Sequence, residues 1–218
     1  TADAAWVGDE MARRFGMPFW QFTLSATDAN RCVIRWAREI TGRPKIVVHN
    51  WCYHGSVDET IAILDDGHTV ARKGNIGKPV PLDATTRVVE INDLAALEAA
   101  LAAGDVAACL FEPALTNIGI VLPEPGYHES VRALCTKYGA LLVIDETHTI
   151  SAGPGGCTMA WGLDPDFVTI GKTLGARIAS GAGTIVNTAT VTAPVGVNDP
   201  AGNNSATDNN TVITPTAD

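Results

Sequence analysis

The sequence predicts an α/β fold: a mostly parallel sheet with helices on both faces, followed by a short β-rich or disordered tail. Three observations predict it. Short apolar runs alternate with segments of helical period, which is the α/β signature. The run "ALLVIDE" (140–146) is continuously apolar up to its acids, as in strands covered on both faces. From Ile178 to Asp218 there is no Lys, Arg, Glu, Leu, Cys or aromatic residue, and helical period stops with them.

Each element follows from local pattern. "FWQFTL" (19–24) has strand character. Residues 27–42 carry Val33, Ile34, Trp36, Ala37 and Ile40 near helical spacing, with Ser25 or Thr27 as cap and Gly42 as stop. "KIVVH" (45–49) and "RVVEI" (87–91) are short strands. Asn92 is the expected cap of a helix over 93–103, ended by Gly104. "VAACLFE" (106–112) is a buried strand, 127–139 a helix stopped by Gly139, and "DFVTIG" (166–171) the last strand. "GPGG" (153–156) is expected to be a mobile loop, since no helical pattern follows it closely. In the tail, 184–194 and 210–216 are predicted strands joined by a turn-rich link at 198–204.

Composition narrows the function classes. The chain has 218 residues, 46% of them hydrophobic, and a formal charge of −9. That is a globular composition, and its acidity argues against a nucleic-acid partner, which would need a basic face. No apolar run reaches membrane-spanning length, and no charged-then-apolar opening suggests a signal peptide. The first residue is Thr1, so the natural start is expected upstream. Five cysteines, none in a C-x-x-C pair, predict free thiols and a reducing, cytoplasmic setting. The histidines lack metal-ligand spacing, so no metal is expected.

In a doubly wound sheet, ligands sit beyond the carboxyl ends of the strands. Glu112, Asp145 and Lys172 all fall at such ends, and "LSATDA" (24–29) joins a strand to a helix. Gly171-Lys172-Thr173 looks like the end of a P-loop. That motif requires a glycine at 166, where Asp166 stands, and strand-like "FVTI" replaces the open loop. Lys172 reads better as a Schiff-base lysine, with Asp145 as the carboxylate that keeps a pyridine nitrogen protonated. Ser25, Thr27 and the N–H groups opening the next helix offer an anion site. Tyr53, before a glycine, could stack on the pyridine.

The stretches "FWQFTLSATDANR", "NWCYHGSVDET", "FEPALTNIGIVLPEPGYHE", "ALLVIDETHT" and "GLDPDFVTIGKTLG" occur in family order. Over residues 1–182 the chain resembles the class III, pyridoxal-phosphate-dependent aminotransferases. Within them it is most similar to β-amino-acid (β-phenylalanine-type) transaminases and glutamate-1-semialdehyde aminomutases. The resemblance implies the large-domain core of a fold-type I enzyme, a homodimer acting on a small amino acid and keto acid. It implies that Lys172 forms the internal aldimine and shuttles the proton, and that Asp145 pairs with the pyridinium. Tyr53 would stack on one ring face and Thr147 pack on the other. Ala26 and Thr27 would give N–H groups to the phosphate, with Ser25 beside them. Glu112, Asn117 and His148 would lie around the ring hydroxyl, and His54 joins the cofactor-binding set.

Some positions depart from the family. Ala26 replaces a common glycine, His148 a glutamine or methionine, and Ala176, Arg177 and Ala179 interrupt a glycine- and proline-rich turn. Residues 183–218 resemble the end of a bacterial surface-adhesin repeat, which suggests a chimera with a truncated enzyme. Weak cofactor affinity and poor turnover are then expected. The alternative is a catalytically dead product or a surface-associated interaction protein.

Overall fold

The computed structural model describes residues 2–77 and 80–172, together with the backbone of two strands at 184–190 and 205–211. Helix α1 (Ala2–Phe15) opens the first unit, and α2 (Ala26–Thr41) leads into β1 (Lys45–His49). A small hairpin of β2 (Ala62–Asp65) and β3 (His68–Ala71) precedes β4 (Thr86–Val89). Then come α3 (Leu94–Ala102), β5 (Val106–Phe111), α4 (Tyr127–Tyr138), β6 (Leu141–Asp145), the short α5 (Gly156–Ala160) and β7 (Phe167–Thr169).

The five-stranded sheet has the order β4-β1-β5-β6-β7, and every pairing in it is parallel. After β1 the chain steps outward to β4, then returns to the other side of β1 as β5. This reversal puts the topological switch point between β1 and β5. Both faces are covered. Val33, Ile34 and Ala37 of α2 pack with Ile46, Val48, Ala108, Leu110 and Val143 on one face. Leu97 and Leu101 of α3 and Val131 and Cys135 of α4 pack with Val47, Cys109, Phe111 and Ile144 on the other. Burial on two sides is why β5 reads as one unbroken apolar run, all six residues buried.

Helix α2 forms where its ends are chemically marked. Ser25 caps it by accepting the Asp28 N–H, and Gly42 leaves it in a left-handed conformation with φ 67°. The α3 cap is Asp93, which accepts the Ala96 N–H, not Asn92. Asn92 itself takes φ 69° and bonds Leu122 and Glu124 across the neighbouring loop.

Other expectations are corrected. Residues 19–24 are irregular, not a strand, and Phe19 and Leu24 are almost fully exposed. Among the described residues no strand lies beside them to complete a ladder, and an extended segment without one gains no sheet bonds. Residues 2–15 form α1, for which the sequence reading proposed nothing. The "GPGG" loop runs directly into α5, because the buried Glu146 carboxylate caps that helix from below. It accepts from the N–H groups of Cys157 and Thr158 and from the Thr158 and Thr149 hydroxyls.

Residues 1–174 and 175–218 are separate compact units. In the second, β8 (Thr184–Thr190) and β9 (Ser205–Thr211) form an antiparallel pair, Thr184 opposite Thr211. The second strand begins five residues before the predicted 210–216. The departures at Ala176, Arg177 and Ala179, the join at Gly183 and the link at 198–204 lie outside the described residues.

Candidate active site

Parallel pairing brings the expected chemistry to one edge. Glu112 follows β5, Asp145 ends β6, and Lys172 stands three residues beyond β7. Asp145 is in register with Thr169, and the Glu146 N–H donates to the Thr169 carbonyl at 2.8 Å.

Asp145 is buried, and its carboxylate accepts three hydrogen bonds. Oδ2 accepts from Nδ1 of His54 at 2.8 Å and from Nδ2 of Asn30 at 2.9 Å. Oδ1 accepts from the Thr147 N–H at 3.0 Å. Desolvation pushes its pKa up, but the His54 bond and charge and the Thr147 bonds outweigh that and lower it to about 2. For His54, burial pushes the imidazole down, whereas Cys52 and the Asp145 carboxylate push it up, so its pKa lies well above the ordinary value. The pair is therefore a buried imidazolium and carboxylate at neutral pH. His54 sits behind Asp145, 1% exposed, with Nε2 unpartnered.

A second cluster forms at the switch point. Glu112 accepts from the Tyr53 N–H at 3.1 Å through Oε1 and from the Thr116 hydroxyl at 2.6 Å through Oε2. His148 Nδ1 lies 3.3 Å from the same Oε2 and is in contact with the Thr116 hydroxyl. The Tyr53 and His148 rings are nearly parallel, 10° apart in plane, with centroids 6.3 Å apart. Asn117 reaches back to the Trp51 carbonyl at 3.3 Å. Thr147, two residues after Asp145, buries its hydroxyl beside that carboxylate.

The third part is the α2 N-terminus. The N–H groups of Ala26 and Thr27 have no intrahelical acceptor, as in every first helical turn. The hydroxyls are already used within the protein. Ser25 Oγ donates to Asp28 Oδ2 at 2.8 Å, and Thr27 Oγ1 accepts the Ser56 N–H at 3.1 Å. Two glycines let backbones approach here. A Cβ on Gly55, whose φ is +81°, would lie 2.2 Å from Thr27 Oγ1, and one on Gly171 would lie 2.3 Å from the Ala26 Cβ. Gly171→Ala is therefore expected to part this turn from α2 and destabilise by about 1–3 kcal/mol. A urea midpoint equal to that of the wild type would contradict this close contact.

Lys172 is exposed, with φ 59°, an uncommon conformation for a lysine that favours reading this turn functionally. It forms no hydrogen bond or ion pair with the described residues. Lys172, Gly171, Ser25 and Ala26 border a cavity of about 690 Å³ whose other walls are largely apolar, including Trp20, Trp36 and Phe167. Asp145 and Tyr53 do not line it.

Sequence reasoning missed Asn30 and Thr116, each bonded directly to a predicted site residue. Asn30 carries a readable signal: a polar residue three and four positions before Val33 and Ile34, on the apolar face of α2. Thr116 carries none, because its position depends on the path of the loop after β5. Among the described residues no group of His, Cys, Asp and Glu could hold a metal ion.

The family model "Aminotransferase class-III" matches residues 5–203. A glutamate-1-semialdehyde 2,1-aminomutase from Anaeromyxobacter sp. (strain K) is 38% identical over 166 residues, covering 74% of this chain and 39% of the relative. The crystal structure of a glutamate-1-semialdehyde aminomutase from Pseudomonas aeruginosa PAO1 superimposes with a TM-score of 0.76 at 55% identity. It covers 78% of this chain and 38% of that one. A lysine-to-alanine variant of that enzyme was solved in complex with PMP. A β-phenylalanine aminotransferase from Variovorax paradoxus matches with a TM-score of 0.65 at 30% identity, over 77% of this chain and 37% of that one. The chain thus spans about two-fifths of the length of these relatives. The family match continues past Gly183 to residue 203, and the adhesin-like reading of the tail finds no support. The chain belongs to the class III aminotransferases, a pyridoxal-phosphate-dependent family.

Proposed function

We propose that this chain forms the cofactor-binding core of a class III aminotransferase or aminomutase. Its parent reaction moves an amino group from an amino acid through pyridoxal 5'-phosphate. One observation carries the proposal: a buried, ionised Asp145 held by three donors, one strand away from the turn that presents Lys172. A carboxylate kept charged in the interior fits a protonated pyridine nitrogen. The close approach of Gly171 to Ala26 fits a tight turn beside the phosphate.

When bound, the cofactor would supply an electron sink for negative charge developing at the substrate carbon that bears the amino group. The chain's residues do the rest. The Lys172 amine would hold the cofactor covalently, and would take and return the proton at that carbon. Asp145 keeps the ring nitrogen protonated, and His54 behind it keeps Asp145 charged. Tyr53 and Thr147 would cover the two ring faces. Ala26 and Thr27 offer N–H groups to the phosphate, with Ser25 holding the helix start. Glu112, Asn117 and His148 surround the ring hydroxyl.

Resemblance to both named groups leaves two substrate classes, a semialdehyde isomerised in place or a β-amino acid donating to a keto acid. The higher identity to aminomutases favours the first. A homodimer and a cytoplasmic setting belong to the same proposal. Supporting them are family membership and cysteines that are free, four of the five buried. No described helix is long and apolar enough to cross a membrane.

The test is uptake of pyridoxal 5'-phosphate by the 218-residue chain, followed by the visible absorbance of the bound cofactor. Lys172→Ala is expected to abolish that band while leaving the fold intact. An unchanged band in the variant would refute the assignment.

A further inference from the structure

Asn30 is completely buried on α2 and joins three elements. Its amide nitrogen donates to Asp145 Oδ2 at 2.9 Å and to the His54 carbonyl at 3.1 Å, and its oxygen accepts from the Thr169 hydroxyl at 2.7 Å. This orientation is unique. Turning the amide would set its oxygen against a carboxylate oxygen and a carbonyl, and face its NH2 group with a hydroxyl donor. Asn30 and His54 thus both hold Oδ2, whereas the Thr147 N–H holds Oδ1.

We propose that Asn30 is a positioning residue. It would fix the rotation of the Asp145 carboxylate that pairs with the cofactor ring nitrogen, and it ties that carboxylate to α2, which starts at Ala26, and to the strand leading to Lys172. The inference rests on the cofactor reading above. It assigns no contact between Asn30 and the cofactor. The amide acts through Asp145, as supporting hydrogen bonds do for first ligands elsewhere. The titratable groups around it are Asp145 of β6, and His54 and Cys52 of the turn after β1.

The experiment measures pyridoxal 5'-phosphate affinity of the full chain from pH 6 to 9. Asn30→Leu is expected to weaken binding by roughly tenfold or more. Thr169→Val, a milder change that frees only the amide oxygen, should weaken it less, in the same direction. Asn30→Asp is the discriminating variant. Two adjacent carboxyls cannot both ionise freely, so the introduced group donates to Asp145 while it keeps a proton and repels it afterwards. The ratio of wild-type to variant affinity should therefore grow with pH.

In the cofactor-free protein, Asn30→Asp should also raise the His54 titration midpoint by about one unit, followed by ring-proton NMR. A flat ratio across pH, or folded Asn30→Leu and Thr169→Val binding as tightly as wild type, would overturn the assignment. If the wild-type chain takes up no cofactor, the functional reading fails. The His54 midpoint then decides for Asn30 alone, an unmoved value counting against it.

Discussion

Asp145→Ala is expected to lose cofactor binding and to cost about 3–5 kcal/mol of folding stability, because it strands a buried, positively charged His54. The Nδ1 proton and the Asn30 amide would both lose their acceptor. Asp145→Asn is smaller in effect on packing but removes the charge, so it should also fail to hold a protonated pyridine nitrogen. The pH dependence follows from both pKa directions. The folded value of Asp145 is depressed to about 2, so its contribution is present above its unfolded value and lost as pH falls through about 2. The folded value of His54 is raised, so its contribution is complete below its unfolded value and lost as pH rises through the folded one. The stability gap between wild type and Asp145→Asn should thus be widest between roughly pH 4 and 6.5 and narrow on both sides. Urea unfolding across pH measures it. A gap independent of pH would mean that the pair is not ionised.

Glu146→Ala is expected to destabilise by a similar amount, about 3–5 kcal/mol, for a different reason. Glu146 is fully buried and takes donors from Thr149, Cys157 and Thr158, so its removal leaves two backbone N–H groups and two hydroxyls without an acceptor. The damage should be local at first. Amide exchange at Cys157 and Thr158 should accelerate before that of β5 or β6, because α5 has no other cap. A Cβ on Gly156 would meet the carboxylate at 2.6 Å, so the Gly156 backbone packs directly against Glu146. Uniform acceleration across the sheet, or none at α5, would contradict this anchoring role.

What could be read from sequence was set by how local each cause is. Strands β1, β5 and β6 were legible because burial on both faces demands unbroken apolar runs. Helices α2 and α4 were legible because glycines in left-handed conformation end them, at Gly42 and Gly139. The misreading of 19–24 has a non-local cause: a strand needs a neighbour, and periodicity carries no information about one. Helix α5 was missed because its cap, Glu146, lies ten residues before Gly156 in sequence. At the candidate site, the rule that strand ends carry chemistry singles out Asp145 and Lys172. The resemblance added Thr147, Asn117 and the assignments around the ring hydroxyl. His54, expected in the cofactor-binding set, bonds the Asp145 carboxylate through its ring. Asn30 and Thr116 became visible only when the elements carrying them were packed together.

The most direct measurement of the central claim is chemical trapping. The cofactor-loaded chain is treated with borohydride, which reduces a carbon–nitrogen double bond to a stable amine, and its peptides are mapped by mass. The prediction is a single pyridoxyl adduct on Lys172, absent from Lys172→Ala. An adduct spread over Lys45, Lys73 and Lys137, or one that persists in the variant, would contradict it.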